Sequence, residues 1–265
     1  MRLIKPSYEI WQQPSGLEGI YKQIERVSRV CYKSENKITE DSAKPFVDRM
    51  IKSGHGAMLE HGTVYLKTND EYYGNPIDKY RDNKYSQLKS INGTKYVTTN
   101  LRVLIENDWM EDLQYLCEPT EFHEKRVTVH FTADAGVMRE FFRHRVFSMA
   151  QESTRYCNYL RDKFGNSITV IYPSCLKEEE ELEFEGDMRV IEELYFKWLK
   201  KGWTAKQARV FLPLGVKAEA VMTGFTSDFK HFFDLRAIGT TGQPHPQAKE
   251  LALPLLNEFI TNKYL

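Results

Sequence analysis

Apolar positions recur at helical intervals soon after the N-terminus. Ile20, Ile24, Val27 and Cys31 follow Ser15 and Glu18, which have capping-box spacing, so the pattern predicts a helix over 16–32. A second helical pattern covers 40–53, with Phe46, Met50 and Ile51 inward and Gly54 just past its end. The period then shortens. The β-branched alternation of "GTVYLKT" (62–68) predicts a strand, and "KRVTVHFTA" (125–133) and "KAEAVMTGFT" (217–226) read the same way. Between the first two strands lies an excursion, about 69–125. It holds Asn92-Gly93 between strand-like flanks, a tight-hairpin signal. It also holds Leu101, Leu104, Ile105, Trp109, Leu113 and Leu116, which predict a helix over 100–117.

Downstream, Asp134 is placed to cap a helix over 135–143, with Val137 and Phe141, and Met138 and Phe142, as i,i+4 pairs. Ser148 and Gln151 again have capping-box spacing and predict a short helix over 149–155. The acidic run 177–187 reads as a solvated face or loop, and 187–201 as a helix ending at Gly202. Thr204 with Gln207 opens another short helix, which "LPLG" (212–215) stops. Ser227 is expected to cap a helix over 228–238, and Pro246 to begin a final helix to about 262, bent at Pro254. Helices and strands mix without regular βαβ alternation. The expected fold class is α+β: helices around a central, largely antiparallel sheet, in a single domain over 1–265.

Composition narrows the function classes. The chain has 265 residues, enough for a real core, and its Lys plus Arg total of 37 equals its Asp plus Glu total of 37. A neutral chain is a poor candidate for coating nucleic acid by bulk charge. Cys31, Cys117, Cys157 and Cys175 are scattered without a CxxC pair, which argues against a disulfide scaffold or a thiolate zinc site and for a reduced, cytoplasmic protein. His245 in "QPHPQ" has no metal-ligand partner at useful spacing, so no metal is expected. The first residues lack the long apolar stretch of a signal peptide, and no apolar run approaches the roughly 20 residues that cross a bilayer.

Against that neutral background, "RHRVFSMAQESTRY" (143–156) stands out. Adjacent like charges at about 4 Å repel by about 4 kcal/mol at a surface-type dielectric, so the trio Arg143-His144-Arg145 needs compensation. Arg143, Arg145 and Arg155 offer planar forks that suit phosphate oxygens or a pyrimidine carbonyl, and Ser148, Gln151 and Ser153 add hydroxyl and amide groups. A phosphorylated planar ligand would satisfy them together. Two other readings stand beside it. One is a basic helix end facing solvent or paired with nearby acids. The other is an RNA or single-stranded DNA surface using Phe141, Phe142 and Tyr156 as stacking platforms.

The order Arg143-His144-Arg145, Ser153, Arg155-Tyr156 resembles the RHR…S-R signature of the flavin-dependent thymidylate synthases. "GHGAMLEH" (54–61) is similar to that family's early segment through His55, Glu60 and His61, "ARVFLPL" (208–214) to its Arg-containing LPL segment, and "LRA" (235–237) to its late arginine segment. On this resemblance the excursion at 69–125 is an insertion. Departures are Glu140 where Gln is frequent, Ala150 and Gln151 where Asn and Glu are usual, and Phe225, Ser227 and His231 where many relatives place Asn, Arg and Asn.

The resemblance implies reductive methylation of dUMP to dTMP, with 5,10-methylenetetrahydrofolate as one-carbon donor and NADPH-reduced FAD as hydride donor, in a homotetramer with shared active sites. It implies Arg236 as the catalytic group that draws charge from the pyrimidine. It implies dUMP contacts from Glu140, Arg143, Gln151, Glu152, Ser153, Arg155, Arg209 and Arg236, and FAD contacts from His55, Ala57, Glu60, Arg143, His144, Arg145, Gln151 and His231. Cys157 and Cys175 would then be structural. A same-fold flavoenzyme acting on another pyrimidine nucleotide is the nearest alternative.

Overall fold

The alternating segments near 130 and 220 find each other, and their pairing organises the molecule. In chain order the elements are β1 (Arg2–Ile4), β2 (Ser7–Trp11), α1 (Gly16–Val30), α2 (Ala43–Lys52), α3 (Gly56–Leu59), β3 (Thr63–Asn69), β4 (Gln87–Ile91), β5 (Thr94–Asn100), α4 (Leu101–Glu106), β6 (Arg126–Asp134) and α5 (Ala135–Phe141). They continue with β7 (Ser148–Gln151), β8 (Thr169–Ile171), α6 (Glu181–Lys200), α7 (Ala205–Ala208), β9 (Lys217–Phe225), α8 (Thr226–Phe233) and α9 (Pro246–Thr261). The structure, a computed structural model, describes residues 1–69 and 76–265; the part of the expected excursion at 70–75 lies outside the described residues.

β6 and β9 pair antiparallel along their whole length, from Arg126 opposite Phe225 to Asp134 opposite Lys217. β2 and β7 complete an antiparallel sheet of order β2-β6-β9-β7. Strand period two sorts its faces. Val127, Val129, Phe131 and Ala133, with Ala218, Ala220 and Met222, face a core closed by α5, α8 and α9. The alternate positions, including Thr128, His130, Glu219 and Thr223, face the other side, where α1 brings Val27 and Val30 against Val221 and Ala150. A second antiparallel sheet, β3-β5-β4, shares its core with α1 and α2, so residues of the excursion such as Ile77, Tyr80 and Val97 pack against Ile20, Ile24 and Val47. β1 pairs parallel with β8 beside α6 and α7.

Several expectations change. The pattern over 100–117 is two pieces, not one helix: α4 stops at Glu106, Asp108 takes a φ of 58°, and a 3-10 turn follows at Met110–Tyr115. The Asn107 amide bonds the Val103 carbonyl at 2.8 Å and closes the first piece. Residues 148–151 are strand β7 rather than the start of a helix; pairing with β9 outweighs the local capping signal. Ser227 lies inside α8, whose N-cap position is Phe225, and the helix widens into a π-helical turn at Asp234–Ile238. The acidic run is helical from Glu181, with carboxylates at the positive helix N-terminus. Asn92 and Gly93 have φ of 49° and 73°, the pair of positive values a type I′ hairpin requires.

Candidate functional site

Asp134 caps α5 by accepting from the Val137 amide at 2.8 Å, and the helix delivers Arg143-His144-Arg145 one turn past its end. Phe141 and Phe147 bracket the tripeptide and are both buried, each contributing about 1.5–3 kcal/mol through removal from water. That anchoring sorts the trio: Arg143 and Arg145 are exposed and His144 is buried. Burial, then the charge of Arg236, push the His144 pKa down to about 4. A neutral His144 removes most of the repulsion within the trio, and its Nε2 accepts from Arg236 Nε at 3.2 Å.

Arg236 comes from the π-helical turn. Its Nη1 bonds the Glu140 carboxylate at 2.5 Å and its Nη2 the Glu140 carbonyl at 2.9 Å. Three of its five N–H donors are thus used, and two remain for a ligand. His231, exposed, sits with its ring centroid 5.8 Å from that of His144.

Beside this cluster opens a cleft of about 920 Å³. Arg145, Val146, Phe147 and Ser148 line it together with Glu60, Asn100, Arg102, Arg126, Tyr85 and Asp228. Arg102 bridges Glu60 at 2.5 Å and Glu106 at 2.7 Å. Arg126 begins β6 and bonds the Glu60 carbonyl at 3.0 Å and the Thr63 hydroxyl at 3.3 Å, while its Nε is buried without a partner. Burial pushes its pKa down to about 10 against the opposing charges of Tyr65, Glu60 and Asp228, so it stays cationic at neutral pH. Nothing in the sequence singled out Arg126 or Arg102. Each reads as an ordinary polar residue at an element's edge, and only the approach of β6, α4 and α3 brings them together.

The remaining expected residues are dispersed. Glu60 is in the cleft, but His55 and Ala57 are exposed at α3, and His55 lines a separate cavity of about 520 Å³ with Arg29, Lys37 and Arg49. His61 is fully buried, bonded to the Thr223 hydroxyl at 2.8 Å, and burial pushes its pKa down to about 3. Gln151 is half-buried at the end of β7, and Ser153 and the exposed Arg155 follow in a turn. Glu152 is buried, with both carboxylate oxygens bonded. Arg209 is exposed on a 3-10 turn beside α7, away from the cleft. Cys157 is buried and its thiol is pushed up to about 12 by burial and then by Glu152. Within one chain, then, Arg236, Glu140, His144 and His231 form one group, Glu60 and Arg145 share the cleft, and Ser153, Arg155 and Arg209 lie outside both.

The cleft of this antiparallel α+β fold is lined by Lys84, Arg102, Arg126 and Arg145 together with Glu60, Asp82, Glu106 and Asp228. The sequence model of the family described as thymidylate synthase complementing protein matches residues 88–261, and the chain belongs to that family. The chain is 32% identical over 128 residues to the flavin-dependent thymidylate synthase of Pyrococcus abyssi, covering 48% of this chain and 50% of that protein. It is 33% identical over 100 residues to the flavin-dependent thymidylate synthase of Pyrococcus furiosus, covering 37% of this chain and 40% of that one. The chain thus matches half or less of the length of these relatives. Among solved structures, a UMP/dUMP methylase, PolB, from Streptomyces cacaoi bound with 5-Br UMP aligns over 98% of this chain and 92% of that chain, with 14% identity and a TM-score of 0.48.

Proposed function

We propose that the chain is a flavin-dependent thymidylate synthase, converting dUMP to dTMP with 5,10-methylenetetrahydrofolate and NADPH as co-substrates. Membership of the family supports this, and the observation that carries it is the Arg236–His144–Glu140 arrangement: a cation fixed at three points with two donors left over. Such a group, held before a ligand arrives, stabilises negative charge on a pyrimidine without reorganising.

FAD suits the cleft on this chain's own terms. The buried, unpaired Nε of Arg126 calls for an acceptor, and the exposed Arg145, with the Nη2 of Arg102 that neither Glu60 nor Glu106 takes, offers donors for phosphate oxygens in a space of about 920 Å³. Arg145, Glu60 and Arg126 would hold it, and when bound it supplies the hydride. The chain's residues do the rest. Arg236 orients the uracil ring and lowers the cost of charge at N3 and the carbonyl oxygens. His144, neutral, accepts from Arg236 Nε and keeps the guanidinium plane in register. Ser153 and Arg155 hold the nucleotide phosphate. Because these groups lie apart from the cleft in one chain, a homotetramer with shared sites accounts for them best, with Arg209 reaching a neighbour's nucleotide. The working place of such an enzyme is the cytoplasm, with no nucleic-acid partner.

The test is direct. Purified protein should be yellow, should bleach with NADPH, and should form dTMP. Arg236→Ala should keep the flavin while turnover falls by at least about 10²-fold. Full activity in that variant, or no turnover of dUMP by the wild type, would remove the reading. Glu140 supports a second reading, methylation of another pyrimidine nucleotide, because its carboxylate beside Arg236 can accept but not donate to a base. A panel of dUMP, UMP and dCMP separates the two.

A further inference from the structure

Glu152 immediately precedes Ser153, yet it is only 4% exposed. Its Oε2 accepts from Lys217 Nζ at 2.7 Å and its Oε1 from the Tyr159 hydroxyl at 3.2 Å. Lys217 also reaches Glu219 Oε1 at 2.8 Å, and Glu219 Oε2 in turn accepts from Lys33 Nζ at 2.9 Å and from His130 Nε2 at 3.0 Å. Two backbone bonds run alongside: the Glu152 amide to the Glu219 carbonyl at 2.8 Å, and the Ser153 amide to the Cys31 carbonyl at 3.0 Å. The polar face of β9, the end of α1 and the end of β7 are therefore tied at one point. The turn that leaves this point carries Ser153 and the exposed Arg155, whose guanidinium lies 5.3 Å from the Tyr156 ring centroid.

We propose that Glu152 is a positioning residue, which through Lys217 and Tyr159 fixes the 153–155 turn so that Ser153 and Arg155 meet the nucleotide phosphate. This rests on the proposed reading of that turn as the phosphate contact. The chemistry gives the inference a sign. A free carboxylate next to a phosphate repels it, so if Glu152 acted only through its charge, removing it would tighten nucleotide binding. If it acts by holding the turn, removing it loosens binding although the repulsion is gone.

The experiment compares wild type, Glu152→Gln, Glu152→Ala and Tyr159→Phe by KM and kcat for dUMP, direct dUMP binding, and flavin content. Misplacement of the phosphate contacts should raise KM and the dissociation constant roughly 10- to 100-fold in Glu152→Ala, with flavin content kept. Glu152→Gln, which can still accept from Lys217, should recover part of the loss, and Tyr159→Phe should show a smaller increase. An unchanged or lowered KM in Glu152→Ala overturns the inference while wild-type turnover leaves the function standing. Should Glu152→Ala not fold, unchanged values in both Glu152→Gln and Tyr159→Phe overturn it equally. A wild type that neither binds nor turns over uracil nucleotides removes the function and this inference together.

Discussion

Around Arg236 and the neighbouring cleft, cations keep unused donors: Arg143 and Arg145 are exposed, Arg236 has two donors without an acceptor, and Arg126 has a buried Nε without a partner. Around Glu219 the side-chain charges end on one another, in the chain Glu152–Lys217–Glu219–Lys33–Glu35. The first is built on the ends of α5 and α8, the second on the polar face of β9 in the central sheet. The first leaves donors over, which is what a ligand needs; the second has each cation between carboxylates, which fixes backbone in place. Burial alone therefore does not mark a binding site. The surplus of donors over acceptors does.

That contrast can be broken in order of effect. Lys217→Met leaves buried Glu152 without its cation, while Glu219 keeps Lys33, and should cost about 3–5 kcal/mol in urea unfolding; a loss under about 1 kcal/mol would mean the network is not a fixed tie. Lowering the pH should strike the other side first. His144 and His61 ordinarily titrate near 6.5 and are held at about 4 and about 3, so the unfolded chain takes up protons that the folded chain refuses. Their stability is fully present above pH 6.5 and is lost as pH falls toward 4, on the order of 3 kcal/mol by pH 5. Glu219 is buried, which opposes its charge, but the His130 hydrogen bond and the charges of Lys217 and Lys33 hold it well below the usual carboxylate range, so the network outlasts that window. Equal unfolding midpoints at pH 8 and pH 5 would contradict the histidine placement. Gly224→Ala comes next: an added Cβ would lie 2.2 Å from Phe147 Cδ1, inside the aromatic core under the cleft, and should cost about 1–3 kcal/mol by calorimetry. Smallest in stability is Arg145→Ala, within about 0.5 kcal/mol for an exposed side chain, while flavin retention on gel filtration should fall.

Much of the local structure was legible along the chain. Asn92-Gly93 forms the hairpin its φ demands allow, Asp134 and the Thr204–Gln207 pair cap as their spacing indicates, and the long alternating strands are β6 and β9. The failures share a cause. Ser148–Gln151 has a capping-box spacing and a strand's alternation at once, and the partner that chooses between them, β9, lies some 70 residues away. The pattern at 100–117 is apolar at helical intervals throughout, yet Asp108 turns left-handed and ends the helix early. β1 and β8, at three residues each, are too short to show a period.

The chain alone determined its family, whose sequence model matches residues 88–261, and it determined which segments alternate and which wind, because both are properties of neighbours in sequence. Tertiary structure decided the protonation and availability of the groups. It made His144 a neutral acceptor, gave Arg236 to Glu140, hid His61 and Glu152, and brought in Arg126 and Arg102. Desolvation and hydrogen-bond competition depend on what packs against a side chain from distant parts of the fold, and no local spacing encodes that.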